Sequence, residues 1–238
     1  MKKLFKWFLA FLGIVACFYV FAFVFGVWGS YEMKKRFDIG YGASTSPRLV
    51  RLEIGDKVFA IPQNHIWSRD RWQGGKVTGV NLQALLPNFE PYTEANKQEF
   101  EKPGWNRTID LLLIQTDVYE KGKTSISRQQ HYDLMLKKSQ KTAKEKGPFG
   151  LTKVHGIKWV MDDDFFIGKL PDGDFYWVMC DPDGKHIAPS CKASVNYSDY
   201  TDLSYTFSKQ YLSDWQTIDK KARNLIRQFE VNAKQGGE

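Results

Sequence analysis

Arg107 to Tyr119, RTIDLLLIQTDVY, is the most apolar stretch of the chain outside its amino-terminal end. Leucine and isoleucine at this density over a strand's length predict a central strand of a sheet. Upstream of it, Val50, Leu52 and Ile54 alternate with Arg51 and Glu53, and Gly55-Asp56 turns the chain into a second arm, Val58 to Ile61. That pattern is a hairpin with one buried face. Pro62 confines the second arm to a sheet edge or ends its pairing, because proline has no ladder donor. NHIWSRDRWQGGKVTG reads as an exposed loop returning into a strand from Lys76 to Leu86, and Thr93 stands where it can cap a short helix, TEANKQEFEK, that Pro103-Gly104 stops.

Downstream, Ser127 opens SRQQHYDLMLKKSQKTAKEK, with Tyr132, Met135 and Leu136 on one helical face and lysines around the rest, so a helix is expected through Lys146. Strands follow at Leu151 to Met161, Phe165 to Lys169, Phe175 to Cys180, Lys192 to Tyr197 and Leu203 to Ser208, with Asp-Gly turns at Asp172-Gly173 and Asp183-Gly184. The chain closes with Leu212, Trp215, Ile218, Ala222, Leu225, Ile226 and Phe229, recurring mostly every three or four residues in a long amphipathic helix. The fold class expected is α+β: a largely antiparallel sheet domain ending in that helix.

Ahead of this domain lies Leu4 to Trp28, LFKWFLAFLGIVACFYVFAFVFGVW, in which Lys6 is the only charge. As a helix it is long enough to cross roughly 30 Å of bilayer hydrocarbon. The expected organisation is a transmembrane signal anchor over residues 1–30, a polar tether over 31–47 and a periplasmic domain over 48–238. A short tail beginning Met-Lys-Lys favours the amino end inside, hence an inner-membrane, single-pass protein with its domain in the periplasm. The alternative is a lipoprotein, in which Ile14-Val15-Ala16-Cys17 serves as lipobox and Cys17 carries the lipid.

The formal net charge is +7, but six bases and one acid lie before residue 37, which leaves only +2 for the remainder. A domain so near neutrality has no electrostatic footprint for a phosphate backbone, so nucleic acid is not an expected partner. Cys180 and Cys191 flank a turn, and in an exported chain they are expected to form a disulfide, with two buried thiols as the alternative.

The chain has no G-x-S-x-G elbow, H-E-x-x-H or P-loop. Asp162-Asp163-Asp164 lacks the spacing of a calcium loop and is expected to be a solvated turn. His65, His131, His155 and His186 stand at no ligand spacing from one another. No enzyme activity, metal or cofactor is therefore expected. Trp67, Arg69, Arg71 and Trp72 are the candidate partner-binding residues, because tryptophan and arginine are enriched at interface anchors. Core packing of the two tryptophans is the competing reading.

Two blocks carry a resemblance. VFAIPQNHIW with GGKVTGVNLQALLPNFEPYT, and YWVMCDPDGKHIAPSCKA with the later YLSDWQTID, resemble membrane-tethered or lipoprotein-type periplasmic proteins encoded near type VI secretion effectors of Gram-negative bacteria, some of them immunity-protein-like. The resemblance implies a protein that binds and blocks a secreted toxin, with an envelope structural or assembly factor as the alternative.

Overall fold

A computed structural model describes residues 42–102, 104, 106–116, 124–158 and 163–235. The apolar stretch 4–28, most of the tether and Asp162 lie outside the described residues. Among those described, no helix is long and apolar enough to cross a membrane.

The domain begins with a three-stranded sheet. β1 (Leu49–Ile54) pairs antiparallel with β2 (Lys57–Pro62) and parallel with the two-residue β3 (Gly75–Lys76). Val50, Leu52 and Ile54 face inward on β1, as the alternation requires, and β2 with its terminal Pro62 occupies an edge. Gly55 turns the hairpin at φ +59°, where a side chain would strike the Tyr200 carbonyl, so only glycine fits.

The second sheet has eight antiparallel strands in the order β4 (Gly79–Leu85), β5 (Thr108–Gln115), β11 (Thr201–Ser208), β10 (Ser190–Ser198), β9 (Phe175–Cys180), β8 (Asp164–Lys169), β7 (Thr152–His155) and β6 (Ala143–Lys146). The expected central strand, β5, lies inside the sheet between β4 and β11. One face of the sheet carries Leu111, Leu113, Leu203, Tyr205, Ala193, Tyr176 and Val178 into the main core, which it shares with the small sheet and the closing helix.

Three α-helices accompany the sheets among the described residues: α1 (Lys97–Glu101), α2 (Arg128–Lys137) and α3 (Trp215–Gln235). The stripe Trp215, Ile218, Ala222, Ile226, Phe229 and Ala233 is buried, and α3 packs on β2. Its carboxyl end is tied down where Arg51 Nη1 donates to the Ala233 carbonyl at 2.9 Å. On the opposite face of the large sheet, Tyr132 and Met135 of α2 join Val154, Ile157, Phe165 and Trp177 in a smaller core. Ser127 caps α2 in a reciprocal arrangement with Gln130, so its start falls where the sequence places it.

Four expectations need correction. Residues beyond Lys137 do not continue the helix: Ala143–Lys146 is the edge strand β6, exposed throughout. Lysines on such an edge discourage pairing with another chain. Thr93 does not cap α1. Its amide instead donates to Asn96 Oδ1 at 2.8 Å, and Asn96 is the residue from which the helix starts. The strand expected from Leu151 to Met161 ends at His155, because Gly156 turns the backbone at φ +77° against the Lys141 carbonyl. The loop from Asn64 to Gly79 is not simply exposed: Asn64, His65, Ile66 and Ser68 are buried, and Gly75–Lys76 forms β3.

The loop at Trp67 and a groove beside helix α2

Two short 3-10 turns, Gln63–His65 and Arg69–Arg71, shape the loop that holds the four candidate residues. The Trp67 amide donates to the Asn81 carbonyl at 3.0 Å, and the Gly42 amide donates to the Trp67 carbonyl at 3.0 Å. Trp72 packs partly buried against the main core, and its indole N–H donates to the Ile66 carbonyl at 3.2 Å. Arg48 Nη2 in turn donates to the Trp72 carbonyl at 2.8 Å. Trp72 thus braces the loop from inside. Trp67 stays partly exposed, Arg69 is exposed with its guanidinium laid against the Gly42 backbone, and Arg71 sits 3.4 Å from Asp70 at the surface. Three of the four residues remain at the surface and one serves packing.

A second concave feature lies beside α2. That helix packs on β9 and β10 and, among the described residues, does not extend over β5 and β11 on the same sheet face, where Leu112, Ile114, Asp202, Ser204 and Thr206 are only partly buried. The result is a groove of about 580 Å³ whose lining includes Ile126, Leu134, Arg128, His131, Trp177 and Lys192. The His131 ring meets Trp177 edge-on at 5.4 Å. Burial lowers the His131 pKa, with nearby Asp202 opposing the shift, so its neutral form is favoured there.

Below the groove the large sheet is split. β10 pairs with β9 only from Cys191 to Ala193, and at the next position the Ser194 carbonyl accepts instead from Arg128 Nε at 2.5 Å. The Arg128 side chain passes through this gap from the α2 face to the main core. Its guanidinium carbon lies 5.2 Å from the centre of the Tyr176 ring, and Nη2 reaches the Tyr205 hydroxyl at 3.4 Å and Asp219 of α3. The Tyr205 hydroxyl donates to the same Asp219 oxygen at 2.6 Å, while Arg223 Nε lies 2.8 Å from the other.

A fully buried carboxylate is thus held between two guanidinium groups. Burial works against charge on Arg128, but Tyr205 and Asp219 outweigh it and its pKa is raised. Burial, together with Tyr176 and Asp219, pushes the Tyr205 hydroxyl well above its usual value.

Other candidate groups are engaged in structure. Cys180 and Cys191 sit opposite each other on β9 and β10 and are joined, with Sγ–Sγ 2.04 Å, as expected. Asp164 binds Lys153 at 2.7 Å and Lys209 at 3.2 Å, His155 meets Glu145 at 2.8 Å, and His186 lies 3.8 Å from Asp181. Among the described residues no group of three or more potential metal ligands gathers.

No protein-family model matches the chain, and no curated protein matches it. One solved structure does, that of an immunity protein of the Stenotrophomonas maltophilia type IV secretion system, with a TM-score of 0.51 over 77% of this chain and 94% of that one. The fold is shared with an immunity protein. The two sequences are 14% identical, so the likeness concerns the fold and not the binding surface.

Arg128, Asp219 and the groove were not among the residues singled out from sequence. The signal for the first two was present. Asp219 lies four residues after Trp215 and three before Ala222, on the apolar stripe of α3, and Arg128 lies four residues before Tyr132 and seven before Met135. A charge on a buried stripe implies a buried partner.

Proposed function

We propose that this protein is an immunity protein, anchored in the inner membrane by residues 4–28, that binds and blocks a toxin delivered into the periplasm by a type VI secretion apparatus. The fold shared with an immunity protein over nearly that protein's whole length is the observation that carries the proposal. That neighbour serves a type IV system, so the type VI assignment rests on the resemblance of the two sequence blocks. The disulfide suits an oxidising compartment.

Trp67, Arg69 and Arg71 are the proposed contact residues of the loop, with Trp72 as their brace. A rigid aromatic beside two guanidinium groups supplies buried area and directional hydrogen bonds. Co-expression, directed to the periplasm, with a candidate secreted toxin whose gene is found to neighbour that of this protein is the test. Survival is expected only when both are present, and killing that persists in the presence of this protein would overturn the proposal. Trp67→Ala with Arg69→Ala is expected to weaken binding at least tenfold, and unchanged affinity would remove the loop from the interface.

A further inference from the structure

We infer that the groove beside α2 receives an acidic side chain of the toxin, flanked there by apolar residues; the inference rests on the immunity reading and adds the chemistry of the partner. A buried donor and an unpaired cation carry it. Trp177 is 4% exposed, its side chain lines the groove, and its Nε1 has no acceptor among the described residues. A buried N–H without an acceptor is costly, and buried polar groups are nearly always satisfied. The unpaired atom is a donor, so the missing group is an acceptor.

Charge selects a carboxylate over a neutral acceptor. Lys192 is exposed along the groove with no ion pair among the described residues. The acid that lines the groove, Asp202, already accepts from Thr116 Oγ1 at 3.1 Å and from Ser125. The Trp177 side chain and the Lys192 ammonium line one concavity, and a hydrogen bond from an ammonium to a carboxylate is stronger than one between neutral groups.

The rim is apolar, with Ile126 38% exposed and Leu134 44% exposed. A volume of about 580 Å³ exceeds what one carboxyl group fills and accommodates neighbouring side chains as well. Buried polar anchors inside an apolar collar are the anatomy of an interface hot spot.

The test uses the full chain and the purified toxin against which the co-expression test shows protection, with affinities measured by calorimetry. Lys192→Glu and Leu134→Arg are surface changes and Trp177→Phe keeps an aromatic side chain while removing the donor; melting curves check that each variant folds. Lys192→Glu and Leu134→Arg are each expected to weaken binding at least tenfold, and Trp177→Phe three- to tenfold. Among acid-to-amide variants of the toxin, one should lose affinity for the wild type and lose little more when combined with Lys192→Glu. If the wild type binds but both surface variants bind within twofold of it, the groove inference is overturned and the immunity reading stands. If the wild type itself does not bind, the immunity reading fails and takes the inference with it.

Discussion

Replacing Arg128 with leucine removes a side chain that crosses the large sheet. Breaking a buried ion pair by deleting one partner costs about 3–5 kcal/mol, because the remaining charge stays buried. Asp219 retains the Tyr205 hydroxyl at 2.6 Å and Arg223 at 2.8 Å, which places this loss at the lower end, about 3 kcal/mol. The Ser194 carbonyl loses its donor too, adding about 1 kcal/mol.

A total near 4 kcal/mol, with a urea slope of about 2 kcal/mol/M, moves the unfolding midpoint down by about 2 M. Urea unfolding followed by tryptophan fluorescence reads this, and an unchanged slope shows that stability alone has altered. Arg128→Leu combined with Asp219→Leu is expected to lose less than Arg128→Leu alone, since no unpaired carboxylate is then left in the core. A loss below about 1 kcal/mol in the single variant, or strictly additive losses in the pair, would refute the threaded ion pair.

Two further outcomes follow from the fold. Closing the short loop between Cys180 and Cys191 contributes about 2–3 kcal/mol, so the Cys180→Ser, Cys191→Ser variant unfolds at correspondingly lower urea, and free thiols that alkylate in the native protein would contradict the crosslink. His65 is buried, its Nδ1 lies 3.0 Å from the Gln83 carbonyl, and burial lowers its pKa despite that hydrogen bond. As pH falls below the ordinary histidine value of about 6.5, the unfolded chain takes up the proton first, so stability drops from there toward the folded pKa. Melting temperature is therefore expected to fall more steeply between pH 7.5 and 5 in the wild type than in His65→Phe, and equal slopes would contradict it.

The elements legible in the sequence are those with one apolar side. β1 announced itself by alternation and α3 by its stripe, because each buries a single face against the main core, whereas β2 buries Phe59, Ala60 and Ile61 in succession. Lys141 to Lys146 misled for the opposite reason. β6 is exposed on both faces and owes its strand form to hydrogen bonds from β7, while alanine, lysine and glutamate favour a helix when nothing packs on them. At Thr93, the expected cap gives way to Asn96, whose side chain accepts from the Thr93 amide and from which the helix starts.

The loop was recognisable by its residue types, but whether Trp72 faced the core or the solvent depended on Ile66 and Arg48, which only the fold brings to it. The groove needed more still. It exists because α2 covers part of a face and β9 parts from β10 after Ala193, relations between segments far apart in the chain.

Titration of the purified toxin with this protein, following the toxin's activity, tests the immunity role most directly. Activity is expected to fall to zero at one equivalent, and Lys192→Glu should shift the curve to higher concentration at least tenfold. Full toxin activity in the presence of excess wild-type protein would contradict the account.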